Sequence, residues 1–223
     1  MPRRPPLTAH RVVEAAAAVA DRSGLAAVSM RNVGKELGVE AMSLYHHVAD
    51  KASLLNQLAD FIVEQIALPE VSDPWREAMT QRANSAHTVL YAHPWAIDLI
   101  ESRPTPGVPL LRHHDRIVGC LMESGFSAAL ATHAFATIDA YIYGFTLSEA
   151  NLPFTPGDGA EKEFAEQVAP PADQFPYLSR ALNELMSTDS YSYATEFAYG
   201  LELILDGFAS RLESDIRGFR QDL

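Results

Sequence analysis

Two runs in the chain combine residue types that could do chemistry. The first is His113-His114-Asp115, with His87 and His93 upstream of it. Histidine and aspartate ligate metals and move protons, so a helical metal-dependent hydrolase built on His113, His114 and Asp115 is one reading. Adjacent helical residues point about 100° apart, so neighbours in such a run do not share one metal. Neither HExxH nor a paired Cys/His spacing occurs, and GxSxG, phosphate-loop and GxGxxG patterns are absent. The balance favours a pocket-lining role for this run, with no catalytic residue, metal or cofactor expected. The second run lies between Ser29 and Lys51 and holds Ser29, Met30, Arg31, Tyr45, His46, His47 and Lys51. Ser29 can cap a helix, turning its first N–H groups toward an anion. Arg31, beside Met30 in the first turn, can reach a phosphate or a guanine edge. This is the chemistry of nucleic-acid binding, in which phosphate contacts position and base contacts specify.

The elements that must position these residues are helices. Val12, Ala16, Val19 and Ala20 form an apolar stripe after Thr8, an N-cap candidate, and before Gly24, a stop. Ser29 opens a short helix over 30–37 that Gly38 ends, and a second short apolar-periodic stretch covers 41–48. Asp50 then caps a longer helix carrying Leu54, Leu55, Leu58, Phe61, Ile62 and Ile66. Two short helices around a glycine-centred turn make a helix-turn-helix, whose second helix lies in the DNA major groove. Downstream, the spacing predicts helices over 75–92, 95–102, 108–122, 127–150, 177–186 and 191–217. The Pro- and Gly-rich stretch 151–176 reads as a loop. With no sustained period-two pattern and no internal repeat, the fold class is all-α: an N-terminal three-helix helix-turn-helix domain plus a larger helical ligand-binding and dimerisation domain. The divisions are 1–50, a connecting helix at 51–68, and 69–223.

Charge supports that division. The 223 residues hold 17 Lys and Arg against 29 Asp and Glu, a net −12, which excludes a surface that grips nucleic acid everywhere. Residues 1–60 hold seven cations (Arg3, Arg4, Arg11, Arg22, Arg31, Lys35, Lys51) and six anions, whereas the remainder holds ten and twenty-three. A nearly neutral head on an acidic body favours docking through the head alone. Arg3-Arg4-Pro5-Pro6 reads as a stiff arm able to reach a minor groove or phosphates. A composition of 48% hydrophobic and 21% charged residues is ordinary for a globular chain with a sizeable core. One cysteine, Cys120, no signal-peptide-like start and no long apolar run point to the cytoplasm, with no membrane partner.

The ordered segment Ser29-Met30-Arg31-Asn32-Val33-Gly34-Lys35-Glu36-Leu37-Gly38-Val39, followed by Ser43-Leu44-Tyr45-His46-His47-Val48-Ala49-Asp50-Lys51 and Leu54-Leu55, resembles the DNA-binding segment of the TetR family of bacterial repressors. The resemblance implies that Glu40, Ala41, Met42 and Ser43 face base edges and that Tyr45, His47 and Lys51 contact phosphates. His46 stands where the tetracycline repressor has tryptophan, and Ala41-Met42 replace a glutamine-proline pair, so operator sequence does not carry over. Arg103-Pro104-Thr105 and Gly125-Phe126-Ser127 are similar to that repressor's regulatory domain. By the same resemblance, the long helix from Ser127 and the last helix of each subunit form a dimer interface, and a small effector releases operator DNA. Arg82 and Ala86 fall where that protein holds its drug with Asn and Phe, and Leu99 falls at its magnesium-binding histidine. The implied effector is therefore a hydrophobic molecule other than a magnesium–tetracycline complex.

Residue types alone leave two readings of the body open. Arg82, Ala86, His87, Tyr91, Trp95, Leu99, Arg103, His114, Phe135, Asp139, Tyr141, Ile142 and Phe145 mix bulky apolar groups with a few polar ones, as an effector pocket does; an ordinary core with a polar rim has the same composition. The last helix carries Phe197, Leu201, Ile204, Leu205, Phe208 and Leu212 in one stripe, which fits either a core face or a homodimer interface. A single recognition helix makes too few contacts for operator specificity, which favours the dimer on a palindromic site. An effector-free DNA-binding adaptor is the remaining alternative.

Overall fold

The computed structural model describes residues 6–157, 159–187 and 191–221, with side chains as far as Ser214. Among these residues the chain is built from α-helices and two short 3-10 turns, with no strand. It divides into two compact units, Met1–Thr146 and Leu147–Leu223, and the division falls within a single long helix. Arg3 and Arg4, the expected basic arm, lie outside the described residues.

The first unit opens with α1 (Ala9–Ser23), capped by the Thr8 hydroxyl, which accepts from the Arg11 N–H at 3.2 Å. A 3-10 turn at Leu25–Ala27 leads to α2 (Met30–Leu37), where Ser29 accepts from the Asn32 N–H at 3.2 Å. Each such cap satisfies a helix-start donor and contributes about 1 kcal/mol. Gly38 ends α2 in the left-handed region, φ 65 and ψ 39, a conformation other residues adopt at a steric cost. α3 (Ala41–Leu44) is a single turn, shorter than the 41–48 helix predicted from periodicity. Its bonds tighten to three-residue spacing, Ser43 to Glu40, Tyr45 to Met42 and His47 to Leu44, and the chain turns through 45–47. Asp50 caps α4 (Lys51–Val63), accepting from the Ser53 N–H at 2.7 Å.

α1 packs on α2 and α4, and α2 on α3, around Val12, Ala16, Val33, Leu44, Leu54 and Leu58. The same unit continues through α5 (Trp75–Ala92), α6 (Trp95–Glu101), α7 (Val108–Glu123) and the start of α8 (Ala128–Ala150). α4 also packs on α6 and α7, so it is shared by the head and the first part of the body. Met79, Leu90, Ile117, Leu121, Ile138 and Ile142 are fully buried there, each side chain worth roughly 1.5–3 kcal/mol of transfer free energy.

The second unit contains α9 (Ala160–Val168), α10 (Pro176–Met186), a 3-10 turn at Tyr193–Thr195 and α11 (Glu196–Gln221). α9 corrects the reading of 151–176 as loop throughout. Its flanking prolines and glycines punctuate the ends, while Glu161 and Glu163 in its first turn suit the positive end of the helix dipole. Glu161 Oε1 accepts from Gly157 N (2.8 Å), Ser192 Oγ (3.1 Å) and Tyr193 N (3.3 Å), which holds its carboxyl below the usual range. The stripe predicted as a dimer interface also needs correction. Phe197, Leu201, Leu205, Phe208 and Leu212 are buried within the single chain and Ile204 is half-buried, so that face of α11 is already covered. Among its described residues, the large apolar groups α11 leaves open are Tyr199 and Leu203, 66% and 57% exposed on its other side.

Candidate functional site

The head presents its polar groups from elements fixed by local bonding. The Cβ of any residue replacing Gly34 would lie 2.9 Å from the Val39 carbonyl oxygen and 3.3 Å from the Ala41 backbone. Gly34 therefore lets the turn and α3 press directly onto α2. Its lack of a side chain inside a helix was the available sequence sign of that contact. On the resulting surface Arg31, Glu40, Met42, Tyr45, His46 and Lys51 are exposed, Met42 by 73% and Tyr45 by 47%. Ala41, Ser43 and His47 are partly exposed. Lys51 sits in the first turn of α4, where a cation and the helix's N–H groups meet. Arg22 is held by Glu36 at 2.6 Å. Among the described head residues, Arg31, Lys35 and Lys51 are exposed cations with no ion pair. Met30 departs from its predicted place at DNA: it is 8% exposed and packs in the head core, leaving only its backbone near the α2 start.

The body holds a cavity of about 460 Å³ walled by Glu101, Leu110, His114, Phe135, Ala136, Asp139, Ala140 and Tyr143. Three predicted pocket residues, His114, Phe135 and Asp139, lie on it. The others do not. Ala86, Leu99 and Ile142 are core, at most 6% exposed. Trp95 Nε1 donates to Asp21 of α1 at 2.7 Å, and His93 Nδ1 meets the same carboxylate at 2.7 Å. Arg103 pairs with Asp60 of α4 at 2.7 Å. Phe145 makes ring contacts with both His87 and Tyr141, and His87 also meets Tyr91, which is 38% exposed. Arg82 stands behind the wall. The missed residues Glu101, Leu110, Ala136, Ala140 and Tyr143 share a face only because α6, α7 and α8 converge. The one sequence sign was the spacing of 136, 140 and 143 with Phe135 and Asp139 on α8.

Behind that wall sits a buried polar cluster. Arg82 Nη1 lies 2.6 Å from Asp139 Oδ1, with side chains 6% and 11% exposed. The approach is off the line of a hydrogen bond, so Arg82 Nε and Nη1 and Asp139 Oδ1 are buried without one. Desolvation lowers His113 from 6.5 to about 4, with Arg82 and then His114 adding to the shift; Asp139 and a hydrogen bond to the Val63 backbone oppose it. His114 is lowered chiefly by burial, and burial followed by Asp139 raises the Tyr143 phenol. At neutral pH both imidazoles are therefore uncharged and the phenol keeps its proton. His114 also meets Phe135 edge-on, with ring centroids 4.6 Å apart. The hydrolase reading finds no support in this geometry: His113 is buried and Asp115 exposed, and among the described residues no three His, Cys, Asp or Glu side chains converge as metal ligands would.

A smaller apolar cavity of about 220 Å³ occurs in the second unit, where Phe154, Phe164, Tyr191 and Tyr193 surround Glu161. The three donors already on that carboxylate oxygen leave it less open chemistry than the Asp139 cluster.

Comparison with known proteins bears on both regions. An HTH-type transcriptional regulator of Saccharopolyspora erythraea is 28% identical over 93% of this chain and 86% of its own length. The HTH-type transcriptional repressor DrrR1 of Streptomyces coeruleorubidus is 29% identical over 92% and 78%. Among solved structures, the Streptomyces coelicolor TetR family protein ActR in complex with actinorhodin matches at a TM-score of 0.70 and 26% identity, over 93% of this chain and 99% of that one. Residues 12–58 match the bacterial regulatory proteins of the tetR family, and residues 68–212 match the tetracyclin repressor-like C-terminal domain. With a reading head and a regulatory body both matched, the chain belongs to the TetR family of helix-turn-helix transcriptional regulators.

Proposed function

We propose that the protein is a homodimeric cytoplasmic repressor that holds a palindromic operator through its heads and is released by a small effector bound in the α6–α7–α8 cavity. The exposed set Arg31, Met42, Tyr45 and Lys51 on capped, closely packed helices carries the DNA half of this reading. Glu40, Ala41, Met42 and Ser43 face base edges. Ser29 and Arg31 hold the start of α2, and Tyr45, His47 and Lys51 take phosphates, with His46 beside them. The cavity and the ActR complex with actinorhodin support the effector half. The dimer uses the open faces of α8 and α11, Tyr199 and Leu203 included, in place of the covered stripe.

Three contacts link cavity helices to the head: Asp60 with Arg103, His113 with the Val63 backbone, and Asp21 with His93 and Trp95. An effector that fits one arrangement of α6 and α7 better than another shifts the population of head positions, by as much as its two affinities differ.

Footprinting over the gene's own upstream DNA tests the reading. Protection of two symmetric half-sites is expected. Lys51→Ala and Tyr45→Ala should weaken all DNA binding, Lys51→Ala also lowering its salt slope by about one phosphate while the uncharged Tyr45 leaves the slope unchanged, whereas Met42→Ala and Arg31→Ala should change sequence preference. Absence of any shift at low salt refutes the DNA half. Release by no member of a metabolite and drug panel supports an effector-free adaptor.

A further inference from the structure

The second unit holds a cavity of its own, separate from the one walled by α6, α7 and α8. Four of its wall residues are aromatic, Phe154, Phe164, Tyr191 and Tyr193, and the space is about 220 Å³. Drug-sized ligands fill roughly 300–1,000 Å³, so this cavity takes a smaller molecule. Phe154 and Phe164 have ring centroids 5.2 Å apart and planes tilted by 45°, which makes a corner of two π surfaces and not a flat stack. Tyr193 belongs to the turn that leads directly into α11.

Glu161 is the one acidic residue on this wall, 7% exposed, and no Lys or Arg lines the space with it. The Gly157 N–H, the Ser192 hydroxyl and the Tyr193 N–H converge on its Oε1. These bonds, that from Gly157 foremost, keep the carboxylate ionised at neutral pH. A carboxylate oxygen offers about two lone-pair sites, so Oε1 has none to spare for a further donor, while the negative charge remains. Two more carboxylates bear on the aromatic wall: burial first, and then Glu196 for Tyr191 and Glu149 for Tyr193, raise the two phenols. An anion would be repelled here. A neutral apolar molecule would fill the space and leave the buried charge unanswered. A primary ammonium would lose its strong hydration without finding acceptors on Oε1 for its three N–H groups. A quaternary ammonium has charge, no N–H to satisfy and a surface of methyl groups, which is the chemistry aromatic cages recognise.

We infer that the cavity binds a small quaternary ammonium ion, its methyl groups against Phe154, Phe164, Tyr191 and Tyr193 and its charge beside Glu161. Because Glu161 ties the chain at Gly157 to the turn before α11, an occupied cavity holds α9 and the start of α11 together. Calorimetric titration of the full chain with choline, its uncharged carbon isostere 3,3-dimethylbutan-1-ol, and ethanolamine tests the assignment. Choline is expected to bind saturably and about tenfold more tightly than either of the others, the gain of a desolvated cation–π contact. Glu161→Gln keeps a carbonyl acceptor for the Gly157 and Tyr193 N–H groups while removing the charge, and should bring the ratio of choline to isostere affinity toward one. Phe164→Leu keeps bulk and removes one ring; it should lower the same ratio several-fold and leave the isostere's own affinity nearly unchanged. If Glu161→Gln alters the circular dichroism spectrum, the Phe164→Leu ratio decides. Equal binding of choline and its isostere, tighter binding of ethanolamine, a choline preference that survives Phe164→Leu, or no saturable binding of choline would each overturn the inference. Operator binding enters none of these outcomes, so the repressor reading stands or falls separately.

Discussion

The head and the cavity use polar groups in opposite ways. In the head, the functional side chains stand exposed on short helices whose ends are satisfied locally: Ser29 by Asn32, Asp50 by Ser53, Gly38 by its own left-handed backbone. Around the cavity, Arg82, Asp139 and His113 are buried and brought together from α5, α8 and α7, and Arg82 and Asp139 are incompletely bonded. A local arrangement loses a little when one residue changes. A buried, non-local one loses much, because the remaining partner keeps its desolvation cost.

The sharpest break of that contrast is Arg82→Met. It leaves Asp139 as an unpaired buried carboxylate, and should lower unfolding free energy by about 3–5 kcal/mol in denaturant titrations. The double variant Arg82→Met with Asp139→Leu should recover most of it. A double variant as unstable as the single one would show that the loss is one of packing.

His113 gives the next largest effect, and a signed one. Its folded value of about 4 lies below the ordinary 6.5, so the unfolded chain takes up the proton first as pH falls. Its contribution is fully present above about pH 6.5, declines as pH drops and is lost by about pH 4, amounting to about 3 kcal/mol. Replacing it by Asn should flatten that part of a stability–pH profile; an unchanged slope assigns the titration to another group.

The head should respond less. Gly34→Ala, which at an open helical site would stabilise by up to about 1 kcal/mol, should here destabilise by about 1–2 kcal/mol through crowding of the Val39 carbonyl. It should weaken operator binding further by displacing α3. A raised melting temperature would show that the turn has room to relax. Ser29→Ala removes one cap, for a loss near 1 kcal/mol in the same assay. A loss of several kcal/mol there would mean that the head, too, is held by non-local bonding.

Most helix limits were legible because the determinants are close in sequence. Thr8, Ser29, Asp50 and Ser127 each accept from an N–H three residues on, and such a relation is visible in a string of letters. The errors share a cause. Apolar spacing overstates the length of α3 because it continues through Val48 while the hydrogen bonds tighten at Tyr45. α9 was hidden by prolines and glycines that bound it without interrupting it. Met30 looked available beside Arg31, yet adjacent helical positions face different directions and one of the two fell inward.

Sequence by itself determined the all-helical class, the capped helix-turn-helix and the division of charge, since propensity, capping and charge act within a few residues. Tertiary structure alone decided which of the body's bulky and polar residues face the cavity, that Arg82 and Asp139 share one buried site, and that the Phe197 to Leu212 stripe is covered within one chain. The reason is that burial and desolvation belong to the meeting of distant helices. The same arginine is a solvated surface charge or half of a buried ion pair according to what packs over it.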